Sequence, residues 1–138
     1  MSADLTMSCM LDTNTVSHIL KGHPRALERL SQVPMANVCI SVITEGELRF
    51  GISKRPQAIR LQRIVSEFLQ RVAVEPWESS TAHAYGALRA SLETSGKVVG
   101  ALDLLIAAHA LDLNATLVTN DAGFRKIAHL RTEDWTAY

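Results

Sequence analysis

Short apolar runs alternate along the chain with longer stretches whose apolar side chains recur every three or four residues. That is the pattern of strands interleaved with helices. Residues 8–11 read as a short apolar strand ending at Asp12. A helix over 13–20 follows, with Asp12 or Thr13 placed to cap it. Gly22 closes that helix and Pro24 opens the next, over 25–32, with Leu27 and Leu30 on one face. Residues 37–41 (NVCIS) form the second strand. Helices are expected over 44–51 and 57–70, the latter with Ile59, Leu61, Ile64, Val65, Phe68 and Leu69 near helical spacing. A third strand falls at 72–74, and a helix over 80–94 ends at Gly96. Residues 102–113 (LDLLIAAHALDL) are the most apolar helix, expected near the centre of the fold. A fourth strand at 115–119, a short helix at 122–128 and a weak fifth strand near 130–132 complete the pattern.

Strands alternating with helices define an α/β domain with a mainly parallel sheet. Such sheets carry their sites just beyond the carboxyl ends of the strands. No Pro/Gly/Ser-rich linker or repeat interrupts the chain, so residues 8–138 read as one domain behind a loose leader at 1–7. Met7 is an alternative start to Met1.

Composition narrows the classes. The chain has 138 residues, 47% of them hydrophobic, and its 14 basic residues balance 14 acids. A protein that binds nucleic acid by bulk positive charge is excluded, although a sum of charges hides their distribution. Cys9 and Cys39 lie in apolar runs and read as buried core thiols rather than a disulfide framework. No apolar run approaches the roughly 20 residues of a membrane span, and the N-terminus lacks a signal-peptide pattern. A reducing cytosol is therefore the expected location.

Four acids stand in chemically suggestive places. Asp12 ends the first strand and Asp121 follows the fourth; taken singly, each also reads as a helix cap. Glu47 sits in a largely apolar helix and is expected to face inward, whereas Glu45 is expected to face water. Asp103 opens the most apolar helix, where a first-turn acid is also favoured by the helix dipole. Asp112, near the end of that helix, reads as a surface residue. Gathered at one mouth, the four acids would repel one another and call for cations. Carboxylate clusters select hard ions such as Mg²⁺ or Mn²⁺, which can ionise a water and stabilise an in-line phosphodiester displacement.

The motifs MLDTN (10–14), ISVITEGELRFG (40–51), GALDLLIAAHAL (100–111) and TLVTND (116–121) together resemble the PIN domain. More narrowly, the chain resembles VapC-type toxins of bacterial toxin–antitoxin pairs, over nearly its whole length. The resemblance implies a three-layer α/β/α sandwich and a Mg²⁺- or Mn²⁺-dependent endoribonuclease. It assigns Asp12, Glu47, Asp103 and Asp121 as catalytic metal-binding acids, with Asn14 and Thr119 helping to hold the first and last. Glu45 departs from the small or apolar residue usual before the Glu-Leu pair. The resemblance also implies a VapB-type antitoxin whose tail blocks the acidic pocket, a homodimer, and an RNA substrate. By likeness to similar toxins tRNA is the leading candidate, initiator tRNA especially.

No histidine is needed for this chemistry. His109, six residues after Asp103, lies off its helix face and reads as a partly buried structural residue. Segment 49–71 holds Arg49, Lys54, Arg55, Arg60, Arg63 and Arg71 against the single acid Glu67. It reads either as an RNA-contacting surface or as a solvated helix face. Two other functions stay open at this point. One is a phosphotransferase using Asp12 as nucleophile, weakened by Asn14 where a second Asp is usual. The other is a PIN-fold module that binds without cutting.

Overall fold

The computed structural model describes residues 8–138; the leader expected at 1–7, with the choice between Met1 and Met7, lies outside the described residues. Strand β1 (Cys9–Leu11) leads into α1 (Thr13–Leu20) and α2 (Pro24–Ser31). A 3-10 turn at Met35–Asn37 precedes β2 (Val38–Ser41), α3 (Val42–Ser53) and α4 (Ile59–Arg71). Then come β3 (Ala73–Glu75), α5 (Ser79–Thr94), α6 (Ala101–Asp112), β4 (Thr116–Val118), a 3-10 turn at Ala122–Lys126 and β5 (Thr132–Glu133).

Among the described residues the five strands form one sheet in the order β3-β2-β1-β4-β5, all pairs parallel. Alternation along each strand sends side chains to opposite faces. Cys9 and Leu11, Val38 and Ile40, and Val118 enter one core, with Val16, Ile19, Leu48, Val65 and Phe68 of α1, α3 and α4. Met10, Cys39 and Leu117 enter the other, beneath Leu92 of α5 and Leu104, Ile106, Ala107 and Ala110 of α6. The expected three-layer α/β/α sandwich is therefore observed, because both faces of every inner strand are apolar and each face needs a helical cover.

The chain reverses where the sequence says it should. Gly22 and Gly96 adopt φ of +83° and +69° after α1 and α5, a region that side chains disfavour. His23 caps α2 by accepting from Ala26 N. The differences from expectation are local. The helix expected at 122–128 is a 3-10 turn, because the Asp121 carboxylate takes the Gly123 N–H, at 2.8 Å. The fifth strand lies at Thr132–Glu133 rather than 130–132, where its register with Leu117 and Val118 sets it. Asp112 is half-buried, not on the surface, and accepts from Ser80 and Thr81 at 3.0 and 2.9 Å, tying α6 to the start of α5. Cys9 and Cys39 are free and buried, and burial pushes the Cys39 thiol up to about 12, leaving it unreactive. Among the described residues no helix is long and apolar enough to cross a membrane.

Candidate active site

The strand order places β4 on the far side of β1 from β2 and β3, so the chain's winding direction switches between β1 and β4. Crevices form at the carboxyl ends of strands at such a point. Asp12 follows β1 there, and Thr119, Asn120 and Asp121 follow β4. The two strand ends are laced together. Asp12 N donates to the Val118 carbonyl at 3.1 Å, and the buried Thr15 hydroxyl donates to the same oxygen at 2.9 Å. Asp12 is buried and its Oδ1 caps α1 by accepting from Thr15 N at 2.8 Å. The cap and the site are thus one residue: the cap fixes the carboxylate, and its other oxygen remains for the crevice.

Glu47, in the second turn of α3, and Asp103, in the first turn of α6, reach the same place. With Asp12, Thr13, Asn14 and Ile106 they line one cavity of about 100 Å³. Thr13 Oγ1 donates a short hydrogen bond to Glu47 Oε1 and so aims that carboxylate. Gly100 supplies no capping side chain to α6, and among the described residues the Asp103 carboxylate has no hydrogen-bond donor. Asp121 is exposed and lines a separate hollow of about 110 Å³ with Thr119, Asn120, Arg125, Thr132 and Asp134. Its backbone N–H donates to Thr119 Oγ1 at 3.0 Å. Gly123 leaves room for the carboxylate, since a Cβ there would stand 3.1 Å from Asp121 Oδ1.

Electrostatics joins the four acids even though the cavity does not. Burial raises the pKa of Asp103, and the charges of Asp121, Asp12 and Glu47 raise it further, in that order. A carboxylate facing three others is held under repulsion. Among the described residues, no three acid, imidazole or thiol groups converge on one point as an ion would require. The donor chemistry nonetheless fits a hard divalent cation: oxygens only, mutually repelling, around a small opening. Closing them on one centre takes side-chain rotation, which Asp103, free of hydrogen bonds, can make.

The basic residues divide. Lys54 and Arg55 line a groove of about 240 Å³ that also touches Thr13 and Glu47, so positive charge adjoins the acids. Arg49 lies outside the groove and pairs with Glu45 at 2.7 Å. Glu45, expected in water, is half-buried beneath that pair. Arg60 and Arg63 are exposed on α4, away from the groove lining. Asn14 borders the cavity, but its side chain makes no hydrogen bond among the described residues. The groups that hold the acids are instead Thr13 and the Thr15 backbone. Sequence reasoning missed Thr13 and also Lys21, a further groove residue. The run Thr13-Asn14-Thr15 beside Asp12 was the available signal, but which of its side chains turns toward Glu47 depends on α3. His109, expected to be partly buried, is completely buried.

A three-layer α/β/α sandwich with carboxylates at the switch point of its parallel sheet is the architecture of a PIN domain. The chain belongs to the PIN-domain family, whose model matches residues 9–130. Its relatives specify the branch. It is 36% identical over 132 residues to Ribonuclease VapC2 of Rickettsia felis, covering 94% of this chain and 98% of that protein. It is 33% identical over 128 residues to the tRNA(fMet)-specific endonuclease VapC of Shigella flexneri, covering 92% and 97%. The structure of DNA-bound VapBC from Salmonella typhimurium superposes with a TM-score of 0.87 at 35% identity, covering 94% of this chain and 98% of that one.

Proposed function

We propose that this chain is a divalent-metal-dependent endoribonuclease, the toxin of a VapBC-type pair. The observation that carries the reading is the shared cavity of Asp12, Glu47 and Asp103 at the sheet's switch point, in a chain whose relatives are named ribonucleases and endonucleases. Asp12, Glu47 and Asp103 would hold Mg²⁺ or Mn²⁺, with Asp121 assisting from the end of β4. When bound, such an ion lowers the pKa of a water and offsets charge on the scissile phosphodiester. The protein's own part is positioning. The Thr15 N–H fixes Asp12, Thr13 aims Glu47, and Thr119 with Gly123 seats Asp121. Lys54 and Arg55 meet the RNA backbone as it approaches along the groove, while Arg49, Arg60 and Arg63 give a wider basic surface.

The substrate in this reading is tRNA, initiator tRNA first, and growth arrest follows from lost translation. A VapB-type antitoxin covers the acidic cavity, and the toxin pairs with a second copy of itself in the cytosol. The phosphotransferase alternative is not favoured, because the family match and the shared carboxylate cavity account for Asp12 without a covalent step.

The test uses protein freed of its partner and incubated with total RNA and with tRNA, in Mg²⁺, Mn²⁺ or EDTA. Cleavage that needs metal and is lost in Asp12→Asn is expected. Absence of metal-dependent fragments, or equal cutting by Asp12→Asn, would overturn the assignment. Induced expression should arrest growth, and co-expression of the operon's neighbouring gene should relieve it.

A further inference from the structure

Helices α3 and α6 pack together and carry two of the acids. Ser41, the N-cap of α3, lies six residues before Glu47; His109 lies six residues after Asp103. Ser41 Oγ and His109 Nδ1 are 2.7 Å apart, and neither residue has any exposed surface. Glu47 and Asp103 line the same cavity. The two helices therefore run in opposite directions and meet at two points, separated by about 9 Å of helix rise. At the open end the meeting is repulsive, acid against acid. At the closed end lies the one side-chain hydrogen bond between α6 and the start of α3 among the described residues.

That bond joins the cap of α3 to the imidazole of α6. Ser41 Oγ accepts from Ile43 N at 3.0 Å, which caps α3 and leaves the hydroxyl hydrogen free. The hydroxyl and His109 Nδ1 share one hydrogen between them, in the direction that the imidazole tautomer sets. Nε2 is buried without a hydrogen-bond partner among the described residues, and the Pro76 carbonyl raises the ring's pKa against the lowering by burial. The edge-to-face Trp77 ring, with centroids 5.5 Å apart, closes the remaining side. The imidazole thus spans α6, the β2–α3 junction and the segment after β3. A polar group left partly unsatisfied in a core is costly, and an apolar side chain of similar size would remove that cost.

We infer that His109 is a positioning residue for the acid site. Through its bond to Ser41 it fixes the start of α3 against α6, and so keeps Glu47 opposite Asp103 despite their repulsion. It touches neither substrate nor ion. The inference rests on the nuclease reading only for its cleavage measurement; metal binding reports on it independently.

The experiment measures Mn²⁺ affinity by calorimetry, and cleavage of tRNA across a Mn²⁺ titration, on partner-free protein. Ser41→Ala and His109→Leu should each weaken Mn²⁺ binding by about tenfold, the scale of losses when an outer-shell support is removed. The double variant should be no weaker than either single one, because both break the same bond. His109→Asn, whose amide can occupy the Nδ1 position and either accept from or donate to Ser41, should recover binding to within about twofold of wild type. At saturating Mn²⁺ the single variants should keep kcat and KM for RNA near wild type. If His109→Leu does not fold, Ser41→Ala and His109→Asn carry the comparison. Unchanged Mn²⁺ affinity in folded Ser41→Ala, or losses that multiply in the double variant, would overturn the inference. Wild type that binds Mn²⁺ but cuts no RNA would instead refute the nuclease reading, leaving the positioning result intact.

Discussion

Thr13→Val removes one hydroxyl and keeps the side-chain shape, so it isolates the bond that aims Glu47. Thr13 Oγ1 donates to Glu47 Oε1 and lies 3.4 Å from Thr44 Oγ1, linking the first turn of α1 to α3 across the cavity mouth. A hydrogen bond to a charged acceptor contributes about 1.5–3 kcal/mol when buried. Both residues here are only half-buried, so water can replace part of the loss and about 1 kcal/mol is the reasonable expectation. In binding, that is about fivefold. The Mg²⁺ concentration giving half-maximal RNA cleavage should rise by this factor, while kcat at saturating Mg²⁺ stays within about twofold of wild type. The melting temperature should fall by only a few degrees, as about 1 kcal/mol implies for a domain of this size. Thr13→Ser retains the donor and should restore most of the Mg²⁺ response. A lower melting temperature with an unmoved Mg²⁺ midpoint would show that Thr13 only packs, and would refute the aiming role.

Three further outcomes are expected. Asp103→Asn removes a carboxylate whose pKa is raised by burial and by three neighbouring acids. A raised carboxylate pKa means that stability falls as pH rises through that range. The substitution should therefore raise the metal-free melting temperature at pH 7, abolish cleavage, and reduce stabilisation by Mg²⁺; a lower metal-free melting temperature would contradict this. Burial lowers the His109 pKa, opposed by the Pro76 carbonyl and the charges of Glu75, Asp112 and Glu78. The unfolded chain then takes up a proton near pH 6.5 that the folded protein refuses. Denaturant titrations should show stability lost as pH falls below that point, by at most about 1.4 kcal/mol per pH unit, and His109→Asn should flatten this dependence. Finally, Lys54→Gln with Arg55→Gln should raise KM for RNA and reduce its salt dependence by up to about two phosphate contacts, with kcat little changed. An unaltered salt slope would place the RNA elsewhere.

The sequence and the structure agree most closely where local chemistry decides. The β1–α1 boundary was legible because an apolar run stops at an acid that can cap the helix after it, and Thr13–Leu20 is the helix observed. The α4 periodicity was legible too, and Val65 and Phe68 are its buried residues. Agreement weakens where a long-range partner decides. The two-residue β5 takes its position from β4. The turn at Ala122–Lys126 follows a side chain capturing a backbone N–H rather than helix periodicity. Glu45 reads as solvated in a helical projection, yet Arg49 of the same helix covers it.

The amino-acid order alone determined the alternating strands and helices, the two-sided burial of the strands and the positions of four acids in the chain. Those follow from periodicity and capping, which act over a few residues. Tertiary structure decided which acids meet. The placement of β4 beside β1 brings the Asp12 and Asp121 turns together at the carboxyl end of the sheet, and the antiparallel packing of α3 on α6 brings Glu47 to Asp103. It also turned Thr13 from a capping candidate into the donor on Glu47, and His109 from a core histidine into the link at the closed end. These contacts join residues up to about a hundred positions apart, and no local pattern encodes which side chains will face each other across such a span.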